Sequence, residues 1–278
     1  MRYPAVSGSF YPSSPTSLKR NVDALLASAR KQTKPIPGAK AIVCPHAGYA
    51  YSGLTAACSF AAIEPSLKKP STTVVLIGPN HTGLGELISV SFDTWSTPIG
   101  KSETDLPLAG AIVKSSPLIS KNELAHFKEH SIEVQLPFLQ TLAPKAKIVA
   151  ICMMAQDINS SRMLGQAIYD ATSRKEFSGR NFLVLASSDF THYESAQSAQ
   201  EKDMPAIRSI LALDDQNFQS QVEARGLSIC GHGPIAAVLH YARLAGAKGA
   251  RLLRYTNSGN ETDGDESSVV AYASIVIV

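Results

Sequence analysis

Thr73-Val74-Val75-Leu76-Ile77 runs directly into Gly78-Pro79-Asn80-His81-Thr82-Gly83. The first five residues are apolar or β-branched without alternation, the pattern of a strand covered on both faces. The turn that follows carries polar, chemistry-bearing side chains just past the strand. The same sentence is written twice more. Ala41-Ile42-Val43-Cys44 leads into Pro45-His46-Ala47-Gly48-Tyr49, and Phe182-Leu183-Val184-Leu185-Ala186 leads into Ser187-Ser188-Asp189-Phe190-Thr191-His192. Further strands are predicted over residues 87–90, 147–151, 251–255 and 269–278.

Segments of helical period separate these runs. Thr16 is expected to cap a helix to residue 29, with Leu18, Val22, Leu25 and Leu26 on one face. Others are expected over 55–63, 106–113, 131–142, 163–171, 196–213 and 234–244. Pro137 requires the 131–142 helix either to kink or to start near the proline, and Pro234 suits the first position of the last. The chain shows no solenoid repeat and no linker. The β-α alternation therefore predicts one three-layer α/β/α domain over residues 1–278, with a mostly parallel or mixed central sheet. Such sheets bind ligands beyond the carboxyl ends of their strands, where the three polar turns lie.

Composition narrows the classes. The 278 residues are 44% hydrophobic and 18% charged, with a formal net charge of +3 and 18 Gly and 16 Pro. That hydrophobic share and small net charge exclude an intrinsically disordered chain, and the Gly and Pro content excludes a collagen-like one. No basic stripe or run of like charge points to nucleic acid. No apolar stretch of about 18 residues points to a membrane span. The start, Met1 to Gly8, lacks the apolar core of a secretory signal, so a cytoplasmic protein is expected. Four cysteines, Cys44, Cys58, Cys152 and Cys230, form no CxxC pair, which in a reducing compartment implies free thiols.

Five of the seven histidines, His46, His81, His130, His192 and His232, fall in Gly/Pro-rich or polar turns. A lone loop histidine is ordinarily just hydrogen bonded. Three strand ends repeating the pattern bring His46, His81, Asp189 and His192 to one crevice, where imidazole serves as metal ligand or general base. Cys230 lies in Ser228-Ile229-Cys230-Gly231-His232-Gly233-Pro234, at an expected helix start whose free N–H groups favour an anion and would lower its pKa. Metal ligand, nucleophile and packed side chain all stay open for it. The other three cysteines sit in apolar runs and read as small hydrophobes. Glu129-His130-Ser131-Ile132-Glu133 is a polar entry into an apolar helix. Ser131 as N-cap explains part of it; His130 and Glu133 at the edge of a pocket is the other reading. Phosphate-binding GxxxxGKS/T and GxGxxG motifs are absent, as is a GxSxG nucleophile elbow.

Taken in order, Pro45-His46-Ala47-Gly48-Tyr49, Gly78-Pro79-Asn80-His81, Glu129-His130-Ser131-Ile132-Glu133, Ser187-Ser188-Asp189-Phe190-Thr191-His192 and Ile229-Cys230-Gly231 resemble the Memo family. That family is similar in fold to the class III (LigB-like) extradiol dioxygenases. Gly8-Ser9-Phe10-Tyr11-Pro12 and Asp265-Glu266-Ser267-Ser268-Val269 also match, so the resemblance covers nearly the whole chain. It implies a metal position made by His46, His81 and Cys230, with Asp189 and His192 as catalytic groups in the same cavity. His130, Glu133, Tyr49 and Asn80 are expected to line that cavity.

The related dioxygenases hold non-haem Fe(II) through two histidines and a carboxylate. Here a thiolate takes the third place, which counts against ring cleavage. Fe(II) is the expected cofactor; the same donors also suit copper or Zn(II). The leading functional reading is a metal-dependent redox enzyme in which His192 acts as acid/base, oriented or charged by Asp189. A second is a non-catalytic binding or adaptor protein that recognises a peptide or small acidic ligand. A third is hydrolysis at a Zn(II)-bound water. A small molecule or peptide is the expected ligand, and the resemblance implies radical-SAM and AMMECR-type proteins as partners.

Overall fold

A computed structural model describes all residues, 1–278. The chain runs α1 (Pro15–Gln32), β1 (Ala41–Cys44), α2 (Tyr49–Leu67), β2 (Thr72–Pro79), β3 (Ile88–Val90), β4 (Trp95–Thr97), β5 (Gly100–Ser102), α3 (Leu106–Val113) and β6 (Ile119–Lys121). It continues through α4 (Leu136–Leu142), β7 (Lys147–Met153), α5 (Ile158–Thr172), β8 (Asn181–Ser187), β9 (His192–Glu194), α6 (Ala196–Leu211) and α7 (Asp215–Arg225). The last elements are α8 (His232–Leu244), β10 (Ala250–Asn257), α9 (Ser258–Thr262) and β11 (Val269–Ile277).

The unalternating runs become the middle of a mixed sheet of order β10-β11-β1-β8-β2-β7-β3-β6, with β9 joined to β11. Both faces are covered. Val74 and Leu76 of β2, with Leu183 and Leu185 of β8, pack towards Leu18, Phe60 and Phe138 of α1, α2 and α4. The intervening Val75, Ile77, Val184 and Ala186 pack on the opposite side with Leu164, Ile210 and Leu239 of α5, α6 and α8. Period-two geometry explains why each strand must be apolar at every position. Each such large side chain contributes roughly 1.5–3 kcal/mol by leaving water. The α/β fold read from the sequence is the one observed.

Strands β1, β8, β2 and β7 are parallel in that order, while β11 and β3 run antiparallel to their neighbours β1 and β7. Register pairs Cys44 with Ser187 and Ile77 with Ala186. The ends of β1, β8 and β2 are therefore level, and their turns emerge side by side.

Four local expectations change. Ser14, not Thr16, caps α1: its hydroxyl accepts from the Ser17 N–H, and Pro15 takes the first helical position. Ser131 caps nothing, because its hydroxyl turns inward to donate to the Pro79 carbonyl at 3.2 Å. The helix starts instead at Leu136 with Pro137 in its first turn, where a missing N–H is harmless. Helix α8 begins at His232, two residues ahead of Pro234. Helix α7 was not foreseen; it buries chiefly Phe218 and Val222 among polar residues, too narrow a stripe to announce a helix. No helix is long and apolar enough to cross a membrane.

Candidate metal centre

A cleft of about 800 Å³ opens where the turns after β1, β2 and β8 meet the start of α8. His46, His81, His130, Asp189, His192 and Cys230 line it, and Phe10, Tyr51, Tyr193 and Tyr272 add aromatic walls. Its lining contains no Lys or Arg.

His46 is buried on the turn after β1. Its backbone N–H donates to Asp189 Oδ1 at 2.8 Å, its Nδ1 lies 2.9 Å from Ser187 Oγ, and its Nε2 lies 3.2 Å from Cys230 Sγ. His81 is clamped twice by Glu129: its backbone N–H reaches Oε2 at 2.7 Å and its Nδ1 reaches Oε1 at 2.9 Å. An ionised carboxylate only accepts, so Nδ1 of His81 carries a proton, and in the neutral ring it is Nε2 that keeps the lone pair. The same logic applies to His192. Its Nδ1 faces the Ser228 carbonyl at 2.8 Å, again leaving Nε2 as the basic nitrogen.

Cys230 sits just before α8, which Gly231 caps. A Cβ at Gly231 would collide with the Ser187 carbonyl and lie 2.6 Å from the Ser188 Cβ, so this close approach of the turn to β8 requires glycine. The approach places Cys230 Sγ 3.3 Å from the Asp189 N–H, which donates to it. One ligand atom each from His46, His81 and Cys230 lies within 4.8 Å of the others. These donors fit a transition metal: two imidazoles and a soft sulfur, with the His81 ring oriented by a hydrogen-bonded carboxylate as metal-ligating histidines commonly are.

His81, Glu129 and His130 form a second close group. The His81 and His130 rings are stacked at 4.6 Å with only 23° between their planes, so their in-plane lone pairs cannot converge on one ion. Glu129 Oε1 is also filled by the N–H groups of His130 and Ser131, both at 2.9 Å. This group is the hydrogen-bonded support of His81.

Burial sets most of the protonation pattern. It pushes His46 well below the usual imidazole range, with His130 and His81 adding to the shift, and it pushes His130 down to about 4. Burial raises Asp189 to about 6 against the stabilising His46 N–H. For Glu129 burial acts upward, but the hydrogen bond and charge of His81 and the Ser131 N–H outweigh it and hold the carboxyl well below its normal range. The Cys230 thiol is raised, first by burial and then by Asp189, opposite to the lowering expected at a helix start. Cys230 is half-buried in the cleft wall, and desolvation of the thiolate outweighs the helix end. A metal bound there would have to displace the thiol proton.

The structure brings together His46, His81, Cys230, Asp189, His192 and His130. Three residues expected to line the cavity face elsewhere. Asn80 folds its side chain into its own turn, where Oδ1 accepts from the Thr82 and Gly83 N–H groups and Nδ2 donates to the Leu84 carbonyl. Tyr49 is buried and donates to the Val134 carbonyl at 2.7 Å. Glu133 is fully buried on the far side of its turn, in an ion pair with Arg2. Sequence reasoning missed Ser187, Gln135 and the orienting role of Glu129. Only Glu129 gave a signal, as the carboxylate directly before a turn histidine.

Fold and site together define an α/β protein with a histidine-and-thiol centre at the carboxyl edge of its sheet. The family model for Memo-like proteins matches residues 2–276, and the chain belongs to that family. A MEMO1 family protein of Methanosarcina acetivorans is 42% identical over 278 residues, covering 100% of this chain and 99% of the relative. One from Methanocaldococcus jannaschii is 40% identical, with coverage of 100% and 99%, and one from Archaeoglobus fulgidus is 40% identical, with 99% of each chain covered. The crystal structure of the uncharacterized protein JW3007 from Escherichia coli K12 aligns with a TM-score of 0.49 at 13% identity, covering 86% of this chain and 100% of that one.

Proposed function

We propose that the cleft is a metal-dependent redox site in which His46, His81 and Cys230 would hold non-haem iron or copper. The observation that supports this reading is the convergence of three ligand atoms from distant parts of the chain within 4.8 Å. When bound, such an ion supplies electron transfer with a substrate seated beside it. The chain's own groups do the rest. His192 presents Nε2 as the basic nitrogen, because Ser228 holds the proton on Nδ1. That makes it the acid/base towards a bound small molecule. Asp189 fixes the His46 backbone and holds its carboxyl 4.0 Å from the His46 Nε2. Phe10 and Tyr272 offer such a molecule apolar surface on the cleft wall.

A second reading, a peptide-binding cleft without catalysis, draws on the exposed Tyr51 and Tyr193 at its mouth. A lining without Lys or Arg gives an acidic ligand no counter-charge, so an uncharged ligand is favoured. Metal content after anaerobic purification, compared with Cys230→Ala, tests the first reading. Near-stoichiometric iron or copper that is lost in the variant supports it. Metal in neither protein, with metal supplied at neutral pH, overturns it in favour of the second.

A further inference from the structure

Behind His46 lies a closed polar network that no step of the proposed function uses. Ser187, the last residue of β8, is fully buried. Its hydroxyl lies 2.7 Å from the Ser131 carbonyl, 3.0 Å from Gln135 Nε2 and 2.9 Å from His46 Nδ1. A hydroxyl has one proton to give and lone pairs to receive others. How the three contacts share that proton decides which nitrogen of His46 is protonated.

Gln135 can be oriented in only one way. Its Nε2 also lies 2.9 Å from the Pro45 carbonyl, which can only accept, and its Oε1 lies 3.0 Å from Cys44 Sγ, whose S–H can donate. Turning the amide over would set two oxygens against each other at Pro45 and an N–H group against the thiol. Gln135 therefore donates into Ser187. The Ser131 carbonyl can only accept, so it takes the one Ser187 proton. His46 Nδ1 can then meet the hydroxyl only as a donor. The reverse arrangement, with Ser187 donating to His46, would leave the buried Ser131 carbonyl without this hydrogen bond.

We propose that Ser187, held by Gln135 and the Ser131 carbonyl, is a positioning residue that locks His46 in its Nδ1–H tautomer and keeps Nε2 free at the cleft. The geometry stands by itself; its consequence, a higher affinity for metal, rests on the reading of His46 as a ligand. Residues 129–135 thereby set both imidazoles, His81 through the Glu129 carboxylate and His46 through the Ser131 carbonyl and the Gln135 amide. Neither Ser187 nor Gln135 touches the cleft.

The test uses the full chain labelled with 15N-histidine and purified without metal. Long-range proton–nitrogen NMR, with His46 assigned by the signals lost in His46→Gln, reads the tautomer directly. Wild type should show the proton on Nδ1 of His46. Ser187→Ala should lose that preference, and its Zn(II) affinity, measured by competition with a chromogenic chelator, should fall about 10–100-fold. Ser187→Thr, which keeps the hydroxyl, should restore the Nδ1–H signature. A proton on Nε2 in the wild type overturns the proposal, whether or not the variants fold. So does an unchanged tautomer in folded Ser187→Ala, whatever its affinity. If wild type binds no Zn(II) yet shows the Nδ1 proton and loses it in Ser187→Ala, the positioning role is supported and the metal reading alone fails.

Discussion

Replacing Glu133 by Gln should unfold the protein several degrees earlier. The Arg2 and Glu133 side chains are only 4% and 0% exposed and are joined in an ion pair. Glu133 also accepts from the Ala5 and Val6 N–H groups at 2.8 and 3.1 Å and from the Tyr11 hydroxyl at 2.5 Å. Arg2 reaches the His126 and Glu129 carbonyls at 3.1 and 2.6 Å and lies 4.5 Å over the Trp95 ring. Glutamine keeps the shape and removes the charge, and a guanidinium cannot shed its proton to compensate. Leaving one buried partner uncompensated costs about 3–5 kcal/mol. A chain of 278 residues gains about 0.6 kcal/mol per kelvin of unfolding entropy, so Tm should fall by about 5–8 °C. Calorimetry and urea unfolding at pH 7 measure the change. Arg2→Met and the double variant complete a cycle, with coupling of about 2 kcal/mol expected because the two residues share one network. A loss below about 1 kcal/mol, or additive single effects, would refute the account of Glu133 as an anchor for the amino-terminal segment.

Two further outcomes follow from buried groups. His126 is fully enclosed against Trp95, and burial pushes it down to about 4. A folded-state pKa below the unfolded value means that its contribution is complete above about pH 6.5 and is lost as pH falls towards 4. Between pH 7 and 5, wild type should therefore lose about 2 kcal/mol more stability than His126→Phe, as read from urea midpoints; equal losses would remove His126 from the acid limb. Gly231→Ala drives a methyl group into β8. It should cost about 1–3 kcal/mol and move Cys230 away from His46, lowering metal content alongside Tm; unchanged values of both would show that the turn has slack.

The central strands were legible because burial on both faces demands an apolar residue at every position, and 73–77 and 182–186 meet that demand. The turns were legible because chemistry gathers at strand ends. Neither rule reaches sideways. Glu129 and Glu133 lie four residues apart in one polar stretch, yet the first clamps His81 from behind and the second crosses to Arg2. Only the fold of residues 124–135 into successive short turns separates them. Ser187 looks like the tail of a strand, and Gln135 like the polar side of a helix. Their partners are 141 and 90 residues away for His46 and Pro45, distances that no local pattern encodes. The sign of the Cys230 shift failed for a related reason: a sequence reveals a helix start but not how far its surroundings strip water from a sulfur.

The separation of the cleft residues also has a kinetic meaning. His46 and Cys230 meet across 184 residues, and β8 must be laid between β1 and β2 before their turns are neighbours. Pairings this remote form late and slowly, because the chain entropy of closing long loops must be overcome first. A nascent chain that has emerged only as far as β8 holds both imidazole turns but not Cys230. Under the proposed function, ion capture by His46, His81 and Cys230 would thus wait until synthesis has passed residue 230, and the centre would report on the maturity of most of the molecule.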